Sequence, residues 1–218
     1  MAGYIPGLGY HILTGWYDRV VALAMPEREF RRRTLGYARL APGMRILDAG
    51  CGTGTLLAML PPDVEAHGAD IDEKMLATAA RKAPGARLLN AGLLGLPYPK
   101  AHFDRVISSF VLHHLLPAGK IEAFREIARV LKPGGEFLLA DWGTPAGPLQ
   151  SAAFLIVQLL DGFATTQSHR QGRVPELLRA GGFATVQELG HMRLIAGTVR
   201  FWRAIPVSAV PPLTGGAS

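Results

Sequence analysis

Cysteine is nearly absent: Cys51 is the single one in 218 residues. Without a partner thiol the chain has no disulfide framework and no paired-thiolate metal site, and a reducing compartment is expected. Long apolar runs are missing as well. The longest, AAFLIVQLL over 152–160, is about half of the ~20 residues that a bilayer span requires. The opening MAGYIPGLGY has no basic group ahead of an apolar stretch, so no signal peptide is expected and the protein is assigned to the cytoplasm. Charged residues are few, 18% against 49% hydrophobic, which excludes a disordered chain and fits one globular domain with a full core. The seven histidines show no metal-ligand spacing, and no metal is expected.

What charge there is lies unevenly. Residues 1–40 carry six basic and three acidic groups, 41–142 carry eleven of each, and 143–218 carry six and three. A neutral middle between two basic flanks points either to an anionic surface or acceptor near the flanks, or to an ordinary solvated face.

The middle third alternates short apolar runs with helix-like periods, the pattern of βαβ units in a parallel sheet. RILDAG (45–50) reads as a first strand, and LLAML (56–60) begins a helix that Pro61-Pro62 ends. VEAHGAD (64–70) is a second strand, EKMLATAARKA (73–83) a helix, ARLLNAG (86–92) a third strand and FDRVISSF (103–110) a fourth. The run 121–135 is an amphipathic helix stopped by Pro-Gly-Gly, and EFLLADW (136–142) is a fifth strand. A helix-like apolar run follows over 149–163, then a helix from Val174, then two strand-like runs near 184–190 and 194–204.

RILDAGCGTGTLL joins strand one to the next segment through three glycines spaced two apart. A glycine-rich turn there brings backbone close to a ligand at the carboxyl ends of parallel strands, although tight packing alone also calls for glycine. Asp70 ends strand two, twenty residues after Gly50. An acidic side chain at that point can accept hydrogen bonds from both hydroxyls of an unphosphorylated adenosine ribose.

Four segments in order, LDAGCGTG, GADIDEKML, LPYPKAHFDRVISSFVLHHL and EIARVLKPGGEFLLAD, resemble the successive motifs of class I S-adenosylmethionine-dependent methyltransferases. The resemblance covers about residues 43–142. It implies a single doubly wound, mostly parallel seven-stranded Rossmann-like sheet whose last strand is antiparallel. Residues 1–40 would then be an N-terminal helical lid, 41–142 the cofactor-binding α/β core, 143–204 inserted helices and a final strand hairpin of the same domain, and 205–218 a flexible tail. It places Asp48, Gly50 and Gly52 around the methionine half of S-adenosyl-L-methionine, Asp70 on the ribose, and Ile71 with Met75 against the adenine. Ser109 and Phe110 would flank the methionyl end, and Tyr17 would fold over the cofactor carboxylate. Where close relatives read Gly-Asp-Ala before Leu-Pro, this chain has Ala91, Gly92 and Leu93. Gly92 and Leu93 would still line the adenine side, but the aspartate that accepts from the adenine amine is missing.

Methyl transfer from a sulfonium mainly needs the nucleophile held in line and desolvated. Where that nucleophile must lose a proton near neutral pH, histidine is the suited base. His114 and His113, just past strand four, are therefore the catalytic candidates, with His114 expected to face the acceptor and His113 to pack; Asp141 and His169 rank below them. The flanks are aromatic, aliphatic and basic, with Arg28, Arg31, Arg32 and Arg33 close together. They suggest a small apolar, amphipathic or lipid-like acceptor and weak peripheral attachment to an anionic membrane. SSFV at the end of strand four is not the Asn/Asp-Pro-Pro-aromatic motif of base-modifying members, which disfavours nucleic acid. The resemblance extends equally to quinone-ring C-methyltransferases and phospholipid amine N-methyltransferases, each releasing S-adenosyl-L-homocysteine. The alternatives are a non-catalytic cofactor-binding protein and an RNA-directed enzyme.

Overall fold

The computed structural model describes residues 26–207. Its framework is one seven-stranded sheet in the order β3-β2-β1-β4-β5-β7-β6. Strands β1 (Arg45–Ala49), β2 (Glu65–Asp70), β3 (Arg87–Asn90), β4 (Phe103–Ser109) and β5 (Leu131–Gly143) run parallel to one another. β6 (Phe183–Leu194) and β7 (Gly197–Pro206) form an antiparallel hairpin, with β7 antiparallel beside β5. The seven-stranded, mostly parallel sheet expected of this sequence is thus present, including its reversed last strand.

Ile46, Leu47, Val106, Ile107, Leu138 and Leu139 are fully buried or nearly so in the three central strands. Helices therefore cover both faces, as an all-parallel centre requires. Helix α2 (Glu73–Lys82) starts where the Asp72 side chain accepts from the N–H groups of Lys74 and Met75 at 2.8 and 3.2 Å, a cap that satisfies donors the helix cannot. Helix α3 (Pro117–Val130) begins with proline in its first turn, four residues before the expected start. It buries Ala123, Phe124, Ile127 and Val130 and ends before the Pro-Gly-Gly run expected to stop it. Leu131 already pairs with Phe103, and the register then shifts before Glu136 meets Arg105, so residues 132–135 sit in a strand irregularity.

The expected helix at LLAML is only a short 3-10 turn, Leu57–Met59. Leu60 is extended (ψ 147°) because the residue before a proline is pushed out of the helical region. Too few residues separate the glycine loop from Pro61 for a second turn to form.

Helix α1 (Glu27–Ala38) lies in the segment assigned to a lid. Phe30, fully buried, packs its ring 5.1 Å from Phe110 and 5.7 Å from Phe201. Its burial contributes about 1.5–3 kcal/mol, and it fixes α1 beside the carboxyl end of β4. After β5 come α4 (Pro148–Asp161), α5 (Phe163–Arg170) and α6 (Val174–Ala180). In α4 Phe154 and Val157 are buried while Leu149, Ile156 and Leu159 are exposed. Among the described residues no helix is long and apolar enough to cross a membrane.

Candidate functional site

The carboxyl ends of β1, β2 and β4 open into a cleft of ≈710 Å³, where a doubly wound sheet receives its ligand. The glycine loop forms its floor. Gly50 has φ +80°, and a Cβ there would lie 2.3 Å from Val111 Cγ2; Gly54 has φ +73°, and its Cβ would lie 2.7 Å from Ala79 Cβ. Both backbone conformation and space therefore exclude any side chain at these two points. The carboxylate of Asp70 is held by two backbone donors, Gly52 N at 2.8 Å and Asp72 N at 2.9 Å. This fixes its orientation and leaves lone pairs for a ligand.

Most of the residues singled out in the sequence line this one cleft. Gly50, Gly52 and Asp70 are on one side, with Ile71, Met75, Gly92 and Leu93 beyond them. Ser109, Phe110 and His114 are at the other end. Ile71 and Met75 are exposed apolar side chains, 51% and 41% accessible, as befits an apolar wall open to a flat ring. Asn90 commits its amide nitrogen to the carbonyls of Asp70 and Ile71 at 3.4 and 3.1 Å. Asp48 is buried beside the loop, and Tyr17 lies outside the described residues.

Two features at the floor fit an amino-acid moiety carrying both charges. Burial pushes the Asp48 carboxyl up to about 7, with Arg31 opposing and Asp70 adding to the rise; a cation is what this carboxylate lacks. Arg31 lines the cleft, and its buried Nε has no hydrogen-bond partner among the described residues, so it suits an anion. Ser109 Oγ is likewise buried without a partner among the described residues. Together with the ribose-competent Asp70, these groups fit S-adenosylmethionine.

The sequence sets Arg31 close to Arg28, Arg32 and Arg33, and the structure gives it a different setting from Arg32 and Arg33. Arg32 and Arg33 pair with Glu29 at 3.3 and 2.7 Å, while Arg31 turns toward the cleft with Glu27 3.8 Å away. An i, i+4 acid in the same helix was the available signal that this segment is not a uniform basic face.

The histidines after β4 sit in a 3-10 turn, Leu112–His114. His113 is buried, its Nδ1 2.6 Å from Asp141 Oδ1, while its own N–H donates to Asp141 Oδ2 at 3.2 Å. Asp141 is also held by the Trp142 N–H at 2.7 Å. Burial alone would lower the His113 pKa, but the Asp141 carboxylate, with Asp161 adding to it, outweighs burial and raises it. Asp141 is correspondingly held below the usual carboxylate range, because His113 and His169 overcome its burial. His114 opens to the cleft, its ring centroid 4.0 Å from that of His113. The neighbouring His113 charge, then burial, depress its pKa, so it stays neutral at working pH.

The inserted helices close over this cluster. Lys120, wholly buried, donates to Leu115 O at 2.7 Å, to Ser168 Oγ at 3.1 Å and to Thr165 O, which ties α5 to the histidine turn. His169 Nδ1 lies 2.7 Å from Trp142 O, and Asp161, at the end of α4, brings Oδ2 to 3.7 Å from His113 Nε2. Neither Asp161 nor Lys120 was anticipated: nothing local in an apolar run such as LIVQLLDGF marks an aspartate that returns to the site.

A family model described as "Methyltransferase domain" matches residues 46–135. The demethylmenaquinone methyltransferase of Clavibacter sepedonicus is 31% identical over 214 residues, covering 87% of this chain and 85% of that protein. That of Beutenbergia cavernae is 35% identical over 127 residues, 58% of this chain, and the chain spans only 52% of that relative's length. Among solved structures, Haemonchus contortus phosphoethanolamine N-methyltransferase 2 in complex with S-adenosyl-L-methionine superposes with a TM-score of 0.63 at 19% identity, over 81% of this chain and 52% of that one. A TehB-like SAM-dependent methyltransferase from Corynebacterium glutamicum does so at 0.61 and 20%, over 89% and 96%. At these identities the structural likeness is one of fold.

Proposed function

Because the chain belongs to the class I S-adenosylmethionine-dependent methyltransferases, we propose that it methylates a small hydroxylated ring of the quinone type on carbon. The carrying observation is one cleft lined by Arg31, Asp70 and His114, the last beside a buried His113–Asp141 pair. The names of the relatives favour a quinone acceptor over a lipid amine.

The cofactor supplies an already activated methyl group, so this chain's residues position and desolvate more than they catalyse by acid and base. Asp70 takes the ribose hydroxyls, Asp48 pairs with the ammonium and Arg31 with the carboxylate at the amino-acid end. Ile71, Met75 and Leu93 take the adenine. Phe110, 5.2 Å from Trp142, makes an apolar wall that excludes water from the reacting face. Asp141 holds the His113 ring, and His113 keeps its neighbour His114 neutral. His114 then accepts the hydrogen bond of the acceptor hydroxyl and raises electron density at the ring carbon, which would take the methyl group as its bond to sulfur breaks and release its own proton to water.

The test is transfer of isotope-labelled methyl groups to a panel: a demethylated quinol, a phosphoethanolamine and an RNA transcript. Label in the quinol alone supports the reading. Label in the amine or the RNA overturns it, and tight cofactor binding with no transfer to any acceptor returns the protein to the non-catalytic alternative.

A further inference from the structure

We propose that His113, His114 and Asp161 form a binding site for a divalent transition-metal ion, with Asp141 as the outer carboxylate that orients His113. Each side chain offers one ligand atom, and these atoms all lie within 4.8 Å of one another. His113 Nε2 and Asp161 Oδ2 are 3.7 Å apart, too far for a good hydrogen bond. The gap is close to the ~3.4 Å that separates two ligands bound to one tetrahedral ion at about 2.0–2.1 Å.

His113 is prepared for such a role. Its Nδ1 is committed to Asp141 at 2.6 Å, and Asp141 is itself anchored by two backbone N–H groups. This makes Nε2 the nitrogen that an ion would take, its proton being released on binding, in the carboxylate–histidine–metal relay found around bound ions. On the same cluster His169 Nε2 is buried without a hydrogen-bond partner among the described residues, its ring centroid 6.2 Å from that of His113. Two imidazoles and one carboxylate select Zn2+ or Co2+ over Mg2+ or Ca2+. Three protein ligands leave a coordination position open, as in catalytic rather than structural sites, and His114 lines the cleft. With the ion bound, an acceptor oxygen is held by the metal rather than by the bare imidazole. The site goes beyond the quinone reading and does not depend on it.

The experiment is titration of the chelator-treated full chain with Co2+, following the visible d–d absorption of a low-coordinate complex, then displacement by Zn2+. One ion per chain is expected. Asp161→Asn and His114→Gln should each weaken binding at least about tenfold, Asp141→Asn by about 10–100-fold, and Asp161→Glu, which keeps a carboxylate ligand, should retain it. Near-ultraviolet circular dichroism checks that each variant is folded. His191→Gln, on β6, should match the parent. The proposal is overturned if no d–d band develops, if Asp161→Asn and His114→Gln bind Co2+ like the parent, or if His191→Gln abolishes the signal. In the first case His113 is simply an imidazolium between two carboxylates.

Discussion

Replacing Asp48 with asparagine keeps the shape of the buried side chain and removes the charge that burial disfavours. In the folded chain the carboxyl holds its proton to about pH 7, against an ordinary value of 3.8. The folded state therefore retains a proton that the unfolded state releases between about pH 4 and 7, and stability falls as pH rises through that window. From 3.8 to about 7, at about 1.36 kcal/mol per pH unit, the cost in the ligand-free protein is roughly 4 kcal/mol at pH 8. Asp48→Asn should thus be more stable than the parent at pH 8 by up to that amount, and the gap should shrink by more than half at about pH 5. Urea unfolding of both proteins across this range measures it, other titrating groups cancelling in the difference. Cofactor binding should move the opposite way, because an amide cannot pair with the ammonium and the variant should bind S-adenosylhomocysteine more weakly. A stability gap that ignores pH, or a variant less stable than the parent at pH 8, would refute the reasoning.

Asp70→Ala removes the proposed ribose contacts as well as the anchor for Gly52 N–H, and calorimetry should show at least a tenfold loss of cofactor affinity; a change within twofold would sink the ribose assignment. Gly92→Asp should tighten cofactor binding about 2–10-fold by restoring an acceptor for the adenine amine. Its Cβ would lie 3.3 Å from Ile71 Cγ2 with no positive φ in the way, so an unchanged or weaker Kd would mean that Ile71 does not yield. His114→Ala should lower kcat by roughly 10²-fold while the cofactor Kd holds, and undiminished turnover would make His114 structural.

The sheet was legible in the sequence because β1, β2 and β4 are short runs with apolar residues, β1 followed by the motif Gly50 and β2 ending on Asp70, and the resemblance supplied the reversed last strand. Asp70 could be singled out because it ends strand two, twenty residues after Gly50, whereas Ile71 and Met75 came only with the resemblance. The 3-10 turn at Leu57–Met59 was not foreseen, because helical periodicity says nothing about the room left before Pro61. The histidine end of the cleft resisted for a different reason. His113 meets Asp141 from β5 and Asp161 from α4, pairings that depend on how an inserted helix folds back, and no local pattern encodes that. Arg31 was hidden by its neighbours, three arginines in a row of which the middle and last find Glu29.

The central claim, methylation of a quinone-type ring on carbon, is tested most directly by locating the transferred label. Demethylated quinol incubated with the protein and S-adenosylmethionine carrying a carbon-13 methyl group should yield one labelled product whose methyl resonance couples to a ring carbon, with an equal amount of S-adenosylhomocysteine. A label found on oxygen or nitrogen, or S-adenosylhomocysteine formed without any label in the ring, would contradict it.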